Sequence, residues 1–170
     1  MIERSEKTAS FVGVISDTHG LLRPEAIAAL EGAELILHAG DIHTPEVLTA
    51  LREIAPVVAV RGNHDRGKWA NELKEIETII MGNVLICMIH DLNALKIEAA
   101  ESNFKVVIFG HSHKPLLEKR EDVLYLNPGS AGPKRFTLPV TIARLRTDGP
   151  EVDAEIIEII KTKTDELVVK

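Results

Sequence analysis

The sequence predicts an α/β fold in which two sheets share one core and helices lie outside, and three observations predict it. Short apolar, β-branched runs alternate with helical patterns over the first sixty residues, the signature of βαβ units and a parallel sheet. Two apolar runs then flank a Gly-Asn pair, a hairpin-turn signal, and strand-like segments fill the last third. The chain of 170 residues, 45% hydrophobic and 27% charged, is one domain's worth of a globular composition with enough length to bury a core.

Each element has a local reason. Phe11-Val12-Gly13-Val14-Ile15 reads as a buried strand behind a polar arm at residues 1–9. Pro24 after Arg23 opens a short helix, since its missing N–H is an orphan at the first turn anyway, and the helix runs to Leu30 and ends at Gly32. Glu34 to His38 is a second strand. Thr44 caps a second helix with Pro45 at its first position. Pro56 to Val60 is a third strand. Glu77 to Met81 and Val84 to Ile89 form the hairpin, Asn93 to Ala100 a helix, and Lys105 to Phe109 a further strand. Val123 to Leu126, Pro139 to Leu145 and Glu151 to Ile160 complete the strands, and residues 161–170 read as a frayed tail. No repeat or linker interrupts this, so residues 1–170 are expected to form a single domain.

Composition excludes several functions. Lys and Arg total 20 against 26 Asp and Glu, a formal charge of −6, which disfavours binding to long nucleic acids, whose affinity rests on clustered cations. No apolar stretch reaches the roughly 18–20 residues of a membrane span, and the charged N-terminus lacks the apolar centre of a secretory signal; a cytoplasmic protein is expected. The single cysteine, Cys87, sits in an apolar run and is expected to be an inert buried thiol.

The informative residues follow the strands. The first ends in Ser16-Asp17-Thr18-His19-Gly20, the second in His38-Ala39-Gly40-Asp41, and the third in Arg61-Gly62-Asn63-His64-Asp65. The hairpin's second strand ends in His90-Asp91, and the next in Gly110-His111-Ser112-His113. Loops at the carboxyl ends of α/β strands converge on one place, and five of the seven histidines fall there. Imidazole, carboxylate and amide oxygens without thiolates suit Mn, Fe or Zn and exclude a zinc-finger-like site. Asp17, His19, Asp41, Asn63, His90, His111 and His113 are too many ligands for one ion. Two ions about 3.5–4 Å apart, sharing a carboxylate, would use them and clamp a phosphoryl group; Asp41, alone on its loop, is the natural bridge. Gly40, Gly62 and Gly110 precede ligands and would allow close backbone approach.

Asp-x-His, Gly-Asp, Gly-Asn-His-Asp, a strand-closing His and Gly-His-x-His, in that order, resemble the motif set of the calcineurin-like metallophosphoesterase superfamily. The short length and the turn Asn127-Pro128-Gly129-Ser130 look most like its small phosphodiesterase branch, which also contains the phosphoesterase-like subunit of the retromer coat. The resemblance covers roughly Phe11 to Leu145. It implies a four-layer α/β/β/α sandwich of two mixed sheets flanked by helices, and two divalent ions per chain: manganese first, with iron, zinc, nickel or cobalt as alternatives. Carried over by position, Asp17, His19 and His113 would hold one ion, and Asn63, His90 and His111 the other, with Asp41 bridging. A hydroxide between the ions would attack phosphorus. His64, with Asn63, would bind the phosphate, and His64 would protonate the leaving oxygen; Asp65 would orient or neutralise that imidazole.

The implied activity is a phosphodiesterase on small phosphoesters. The alternatives are a phosphomonoesterase or nucleotide-pyrophosphate hydrolase on the same site, and a non-catalytic interaction scaffold, against which the retention of His64 and every ligand argues. Family members often form homodimers or larger oligomers. The branch commonly has Gly after the fourth-strand His; here Asp91 stands there and adds a negative charge. Elsewhere bland roles are expected: His38 buried and hydrogen-bonded, His43 in a loop, Arg61 in a salt bridge, Trp69 in packing, Lys134 and Arg135 solvated. Asn127 to Ser130 form a turn, with support of the site as a secondary role.

Overall fold

Alternating apolar residues of the first strand, β1 (Val12–Ile15), divide between two cores: Val12 and Val14 face one, Phe11 and Ile15 the other. The computed structural model describes residues 10–99, 101–149 and 151–161; the N-terminal arm and almost all of the expected tail lie outside them. Helix α1 (Pro24–Leu30) leads to β2 (Leu35–His38), and α2 (Pro45–Arg52) to β3 (Val57–Ala59). Both helices begin with proline at the first turn, as expected. Thr44 holds the cap position of α2 in extended geometry, but its side chain makes no capping hydrogen bond.

A one-turn helix, α3 (Lys68–Asn71), precedes the hairpin β4 (Ile76–Met81) and β5 (Val84–Ile89). The hairpin closes in the expected register, Met81 opposite Val84, with Gly82 at φ +59°. Next come β6 (Val106–Ile108), β7 (Leu116–Arg120), β8 (Val123–Asn127), β9 (Thr141–Arg146) and β10 (Asp153–Glu158).

Two mixed five-stranded sheets result, ordered β10-β9-β1-β2-β3 and β4-β5-β6-β8-β7. The expected α/β sandwich of two mixed sheets is therefore observed. Val12, Val14, Leu37, Ile86, Val106, Ile108 and Leu126 fill the space between the sheets; each fully buried aliphatic side chain contributes about 1.5–3 kcal/mol. Residues of all three helices pack with the outer face of the first sheet, Trp69 among them.

The outer face of the second sheet is covered differently. In place of the helix expected over Asn93 to Ala100 there is a 3-10 turn, Leu92–Ala94, followed by non-helical chain in which Leu95, Ala99 and Phe104 touch the sheet. Asp91 draws this turn together by accepting the Asn93 N–H at 3.0 Å, and Lys96, Ile97 and Glu98 are exposed. Leu92, Leu95 and Ala99 are at helical spacing, but the turn stops at Leu95, whose backbone is extended at ψ 114°. β7 has no counterpart among the expected strands; it is an exposed edge strand carrying Glu118, Lys119 and Arg120, and charges are favoured at such edges. Cys87 is buried as expected, and burial pushes its thiol up. No helix among the described residues is long and apolar enough to cross a membrane.

Candidate metal centre

β1, β2 and β3 run parallel in one sheet, and β5, β6 and β8 in the other, so their carboxyl ends release chain into one set of loops. The two sheets are tied together there by His90, whose Nδ1 lies 2.7 Å from the Ala39 carbonyl. That nitrogen must donate to a carbonyl, so the proton is on Nδ1 and the Nε2 lone pair faces the cleft, as a metal-ligating histidine requires.

All seven ligand candidates meet in this cleft. His19 Nε2 and His113 Nε2 are 3.3 Å apart, and Asp17 Oδ1 lies 3.3 Å from His113 and 3.9 Å from His19. Across from them, Asn63 Oδ1 lies 3.0 Å from His90 Nε2 and 3.1 Å from His111 Nδ1. Asp41 Oδ2 stands between, 3.8 Å from His19 and 3.3 Å from His90. Two ligand atoms bound to one ion at about 2.1 Å sit about 3.0–3.4 Å apart in octahedral or tetrahedral geometry, and most of these spacings match that edge.

The carboxylates show the same preparation. Asp17 Oδ2 accepts from the Ser16 hydroxyl at 2.6 Å and the His111 N–H at 3.1 Å. Its Oδ1, facing the two histidines, is buried without a hydrogen-bond partner. Asp41 divides its oxygens likewise: Oδ1 accepts the His64 N–H at 2.9 Å, and Oδ2 faces both histidine groups. An orphaned buried carboxylate oxygen is costly unless a cation completes it. The acidic and imidazole groups form two compact triplets, Asp17-His19-His113 and Asp17-Asp41-His90, so Asp17 too lies near both halves. The residues present therefore fit divalent ions.

Protonation states favour the same occupant. Burial alone would raise Asp17, but the neighbouring His113 and His90 imidazoles and the Ser16 hydroxyl hold its carboxyl below the usual range. Asp41 is held down at about 2, where burial is outweighed by His90 and the His64 amide. Burial lowers His19, keeping its lone pair free. For His90 burial is outweighed by the Asp41 and Asp17 carboxylates, which raise it. A pair of ionised carboxylates amid imidazoles is a cation trap.

The loops are bent hard to achieve this. Asp17, His19, Asp41, His43, His111 and His113 all take positive φ, between 46° and 79°, a conformation costing non-glycine residues about 1–2 kcal/mol each. Such strain collects at functional sites. The three expected glycines stand where loops touch: a Cβ on Gly62 would overlap Asp41, one on Gly110 would overlap Ser16, and one on Gly40, at φ +96°, would lie 2.7 Å from His90 Nδ1.

Some residues behave otherwise than expected. Asp65 accepts from the His43 amide at 2.7 Å and the Gly62 amide at 2.8 Å; its carboxylate ties two ligand loops together instead of orienting the His64 ring. His64 is exposed, edge-on to His19 with ring centroids 5.5 Å apart. Others are as expected: His38 is buried and bonded to Thr18 at 3.0 Å, Arg61 pairs with Glu75 at 2.6 Å, and His43 is a loop residue. Asn127 supports the Gly110 loop, donating to the Gly110 carbonyl at 2.9 Å.

Ser16, Thr18 and Gly132 were missed by sequence reasoning. Ser16 fixes Asp17, Thr18 holds His38, and Gly132 sits where a Cβ would overlap the Thr18 carbonyl. Nothing in their local pattern marks a serine, threonine or glycine for such work.

Comparison with known proteins identifies the family. Residues 11–149 match the model of the calcineurin-like phosphoesterase superfamily domain. A probable metallophosphoesterase of Methanothermobacter thermautotrophicus is 41% identical over 162 residues, covering 86% of this chain and 91% of that protein. A phosphodiesterase of Methanocaldococcus jannaschii is 30% identical over 166 residues, covering 86% and 99%. Among solved structures, Vps29 of Chaetomium thermophilum superposes with a TM-score of 0.73 at 20% identity, covering 88% of this chain and 97% of that one, a likeness of fold. By this match over most of its length, the chain belongs to the calcineurin-like phosphoesterase superfamily, a family of phosphoester hydrolases.

Proposed function

We propose that the protein is a phosphodiesterase with a dinuclear metal centre, acting on small phosphodiesters. The carrying observation is the cleft's two donor clusters facing Asp41 Oδ2, with Asp17 Oδ1 buried and unpartnered. Asp17, His19 and His113 would hold one ion and Asn63, His90 and His111 the other, with Asp41 able to serve both. Manganese is the expected ion. Bound there, divalent ions supply Lewis acidity to phosphoryl oxygens and bring the pKa of water towards neutrality.

The chain's own residues do the rest. Asp17 and Asp41 offset two of the centre's positive charges, leaving a modest surplus that suits the single charge of a diester. Asn63 sits at the edge of the cleft beside His64 and positions a phosphoryl oxygen. His64 faces solvent and makes no side-chain hydrogen bond among the described residues, which leaves its ring nitrogens free to reach the departing alkoxide and protonate it. Its backbone N–H, bonded to Asp41 Oδ1 at 2.9 Å, keeps this acid in step with the bridging carboxylate. Asp65, by joining the Gly62 and His43 amides, keeps the His64 loop from drifting.

The test is metal analysis of the purified protein, paired with hydrolysis of bis(p-nitrophenyl) phosphate after Mn addition. About two ions per chain with metal-dependent turnover are expected. His64→Ala should keep the metal and lose about 10²–10⁴-fold in turnover, the usual worth of a general acid. A His64→Ala variant at near-wild-type rates would remove the acid assignment. Filled sites without turnover on any ester would leave a binding scaffold.

A further inference from the structure

Beside the Asn63, His90 and His111 donors the surface opens into a cavity of about 620 Å³, within the size range of small-molecule sites. Ile76, Ile89 and Ala94 supply apolar patches of its wall. Being continuous with the donors of one half of the centre, it is the space into which one arm of a phosphodiester extends when its phosphoryl group is held there.

Five charged side chains line this space: Arg61, Asp65, Arg66, Glu75 and Asp91. Four are accounted for. Arg61 and Glu75 neutralise each other at 2.6 Å. Asp65 is buried, its two oxygens taken by the His43 and Gly62 amides. Arg66 is exposed, a long side chain in water whose field is screened.

Asp91 differs. It directly follows His90 at the end of β5 and is half-buried. Its Oδ1 accepts both the backbone N–H and the side-chain amide of Asn93, at 3.0 and 3.2 Å, which pins the carboxylate against the wall. Its Oδ2 has no hydrogen bond or ion pair among the described residues. A fixed, partly desolvated carboxylate with one oxygen free interacts with an arriving charge more strongly than a mobile surface one.

We infer that Asp91 sets substrate choice by charge: the cavity takes the second arm of the phosphodiester, and Asp91 favours an arm ending in a cation, such as an aminoalkyl group, over one ending in an anion. This rests on the proposed phosphodiesterase. An anionic arm is repelled by the pinned, half-buried Asp91 carboxylate, while an ammonium donates to Oδ2. The same carboxylate penalises a terminal phosphate in the cavity.

The experiment uses the Mn-loaded full chain and three p-nitrophenyl phosphodiesters whose second arms are 2-aminoethyl, ethyl and 2-carboxyethyl. Wild type should show kcat/KM about tenfold higher for the aminoethyl than for the carboxyethyl arm, the order expected of one well-placed charge. Asp91→Asn keeps the oxygen that accepts from Asn93, so the 3-10 turn stays closed, and the ratio should fall to within about twofold of unity. Calorimetric binding of the three matching non-hydrolysable phosphonates gives the second readout, with the same ratio in Kd and the same collapse. Turnover without charge preference in wild type, or a preference that survives Asp91→Asn, overturns the role of Asp91 and leaves the phosphodiesterase standing. Neither turnover nor binding for any arm brings down the phosphodiesterase reading and the inference with it.

Discussion

Acid should weaken this protein through His38, at a size that follows from its surroundings. The ring is fully buried. Its Nδ1 accepts the Gly40 N–H at 3.2 Å, so its proton is on Nε2, which donates to Thr18 Oγ1 at 3.0 Å; the Thr18 hydroxyl passes its own proton to the Ile42 carbonyl at 3.3 Å. The neutral ring is thus satisfied at both nitrogens. A second proton on Nδ1 would meet the Gly40 N–H head-on, with no water to relieve it. Burial accordingly pushes His38 down from 6.5 to about 3.

A histidine whose folded pKa lies below its unfolded one binds its proton more readily in the unfolded chain. Its contribution to stability is whole above about pH 6.5 and falls continuously as the pH drops towards 3. Each pH unit inside that window costs about 1.4 kcal/mol, so by pH 5 the loss is about 2 kcal/mol. Urea unfolding with chelator present, at pH 7.5 and pH 5, measures it in wild type and in His38→Gln, which has no titrating ring. Wild type should lose about 2 kcal/mol more than the variant between the two pH values. Parallel losses would refute the buried neutral tautomer, because every other titrating group is shared by the two proteins.

Three further outcomes are expected. Adding Mn to metal-free protein at about a thousandfold its Kd should stabilise by about 4 kcal/mol, a Tm rise of about 8–16 °C at this chain length; Asp17→Asn should lose most of that rise in a thermal melt. Gly62→Ala should destabilise by about 1–3 kcal/mol and reduce bound metal, since its Cβ would displace Asp41; unchanged metal content by mass spectrometry would contradict the packing. Asp65→Ala should cost about 1–3 kcal/mol by leaving the His43 and Gly62 amides unpaired, measurable by urea unfolding.

The sequence displayed its ligands because the chemistry needs particular side chains at the ends of strands, and strand ends are where apolar periodicity stops. The same logic made β1, β2, the hairpin and β6 legible. The segment after His90 was not, because a few apolar residues such as Leu92 and Leu95 touch the sheet equally well from a helix or from irregular chain. β7 stayed hidden for the opposite reason: as an edge strand it needs no apolar face, and Glu118, Lys119 and Arg120 look alike in a strand and a loop. Asp65 was placed in the site by its neighbours His64 and Asn63, but its actual partners are two backbone amides, Gly62 in its own loop and His43 in a loop 22 residues away. Side-chain identity reveals a ligand; it does not reveal what a carboxylate does once two amides reach it.

The cleft's stability and its chemistry are in opposition, and the hydrogen bonds show how the conflict is resolved. Six non-glycine residues at positive φ oppose folding, and so does the desolvation of Asp17 and Asp41, which their hydrogen bonds and the neighbouring imidazoles outweigh. Each carboxylate is held by one oxygen only: Asp17 through Ser16 and His111, Asp41 through His64. Had both oxygens been bonded, as they are in Asp65, the fold would gain stability and the site would lose its ligand atoms. Leaving Asp17 Oδ1 unpartnered keeps part of the fold's stability in reserve for the ion. The donors are thus positioned before binding, and metal affinity is not diminished by ordering the loops. A variant that gave Oδ1 a protein donor should therefore melt higher without metal and bind it less tightly, the two effects arising from one hydrogen bond.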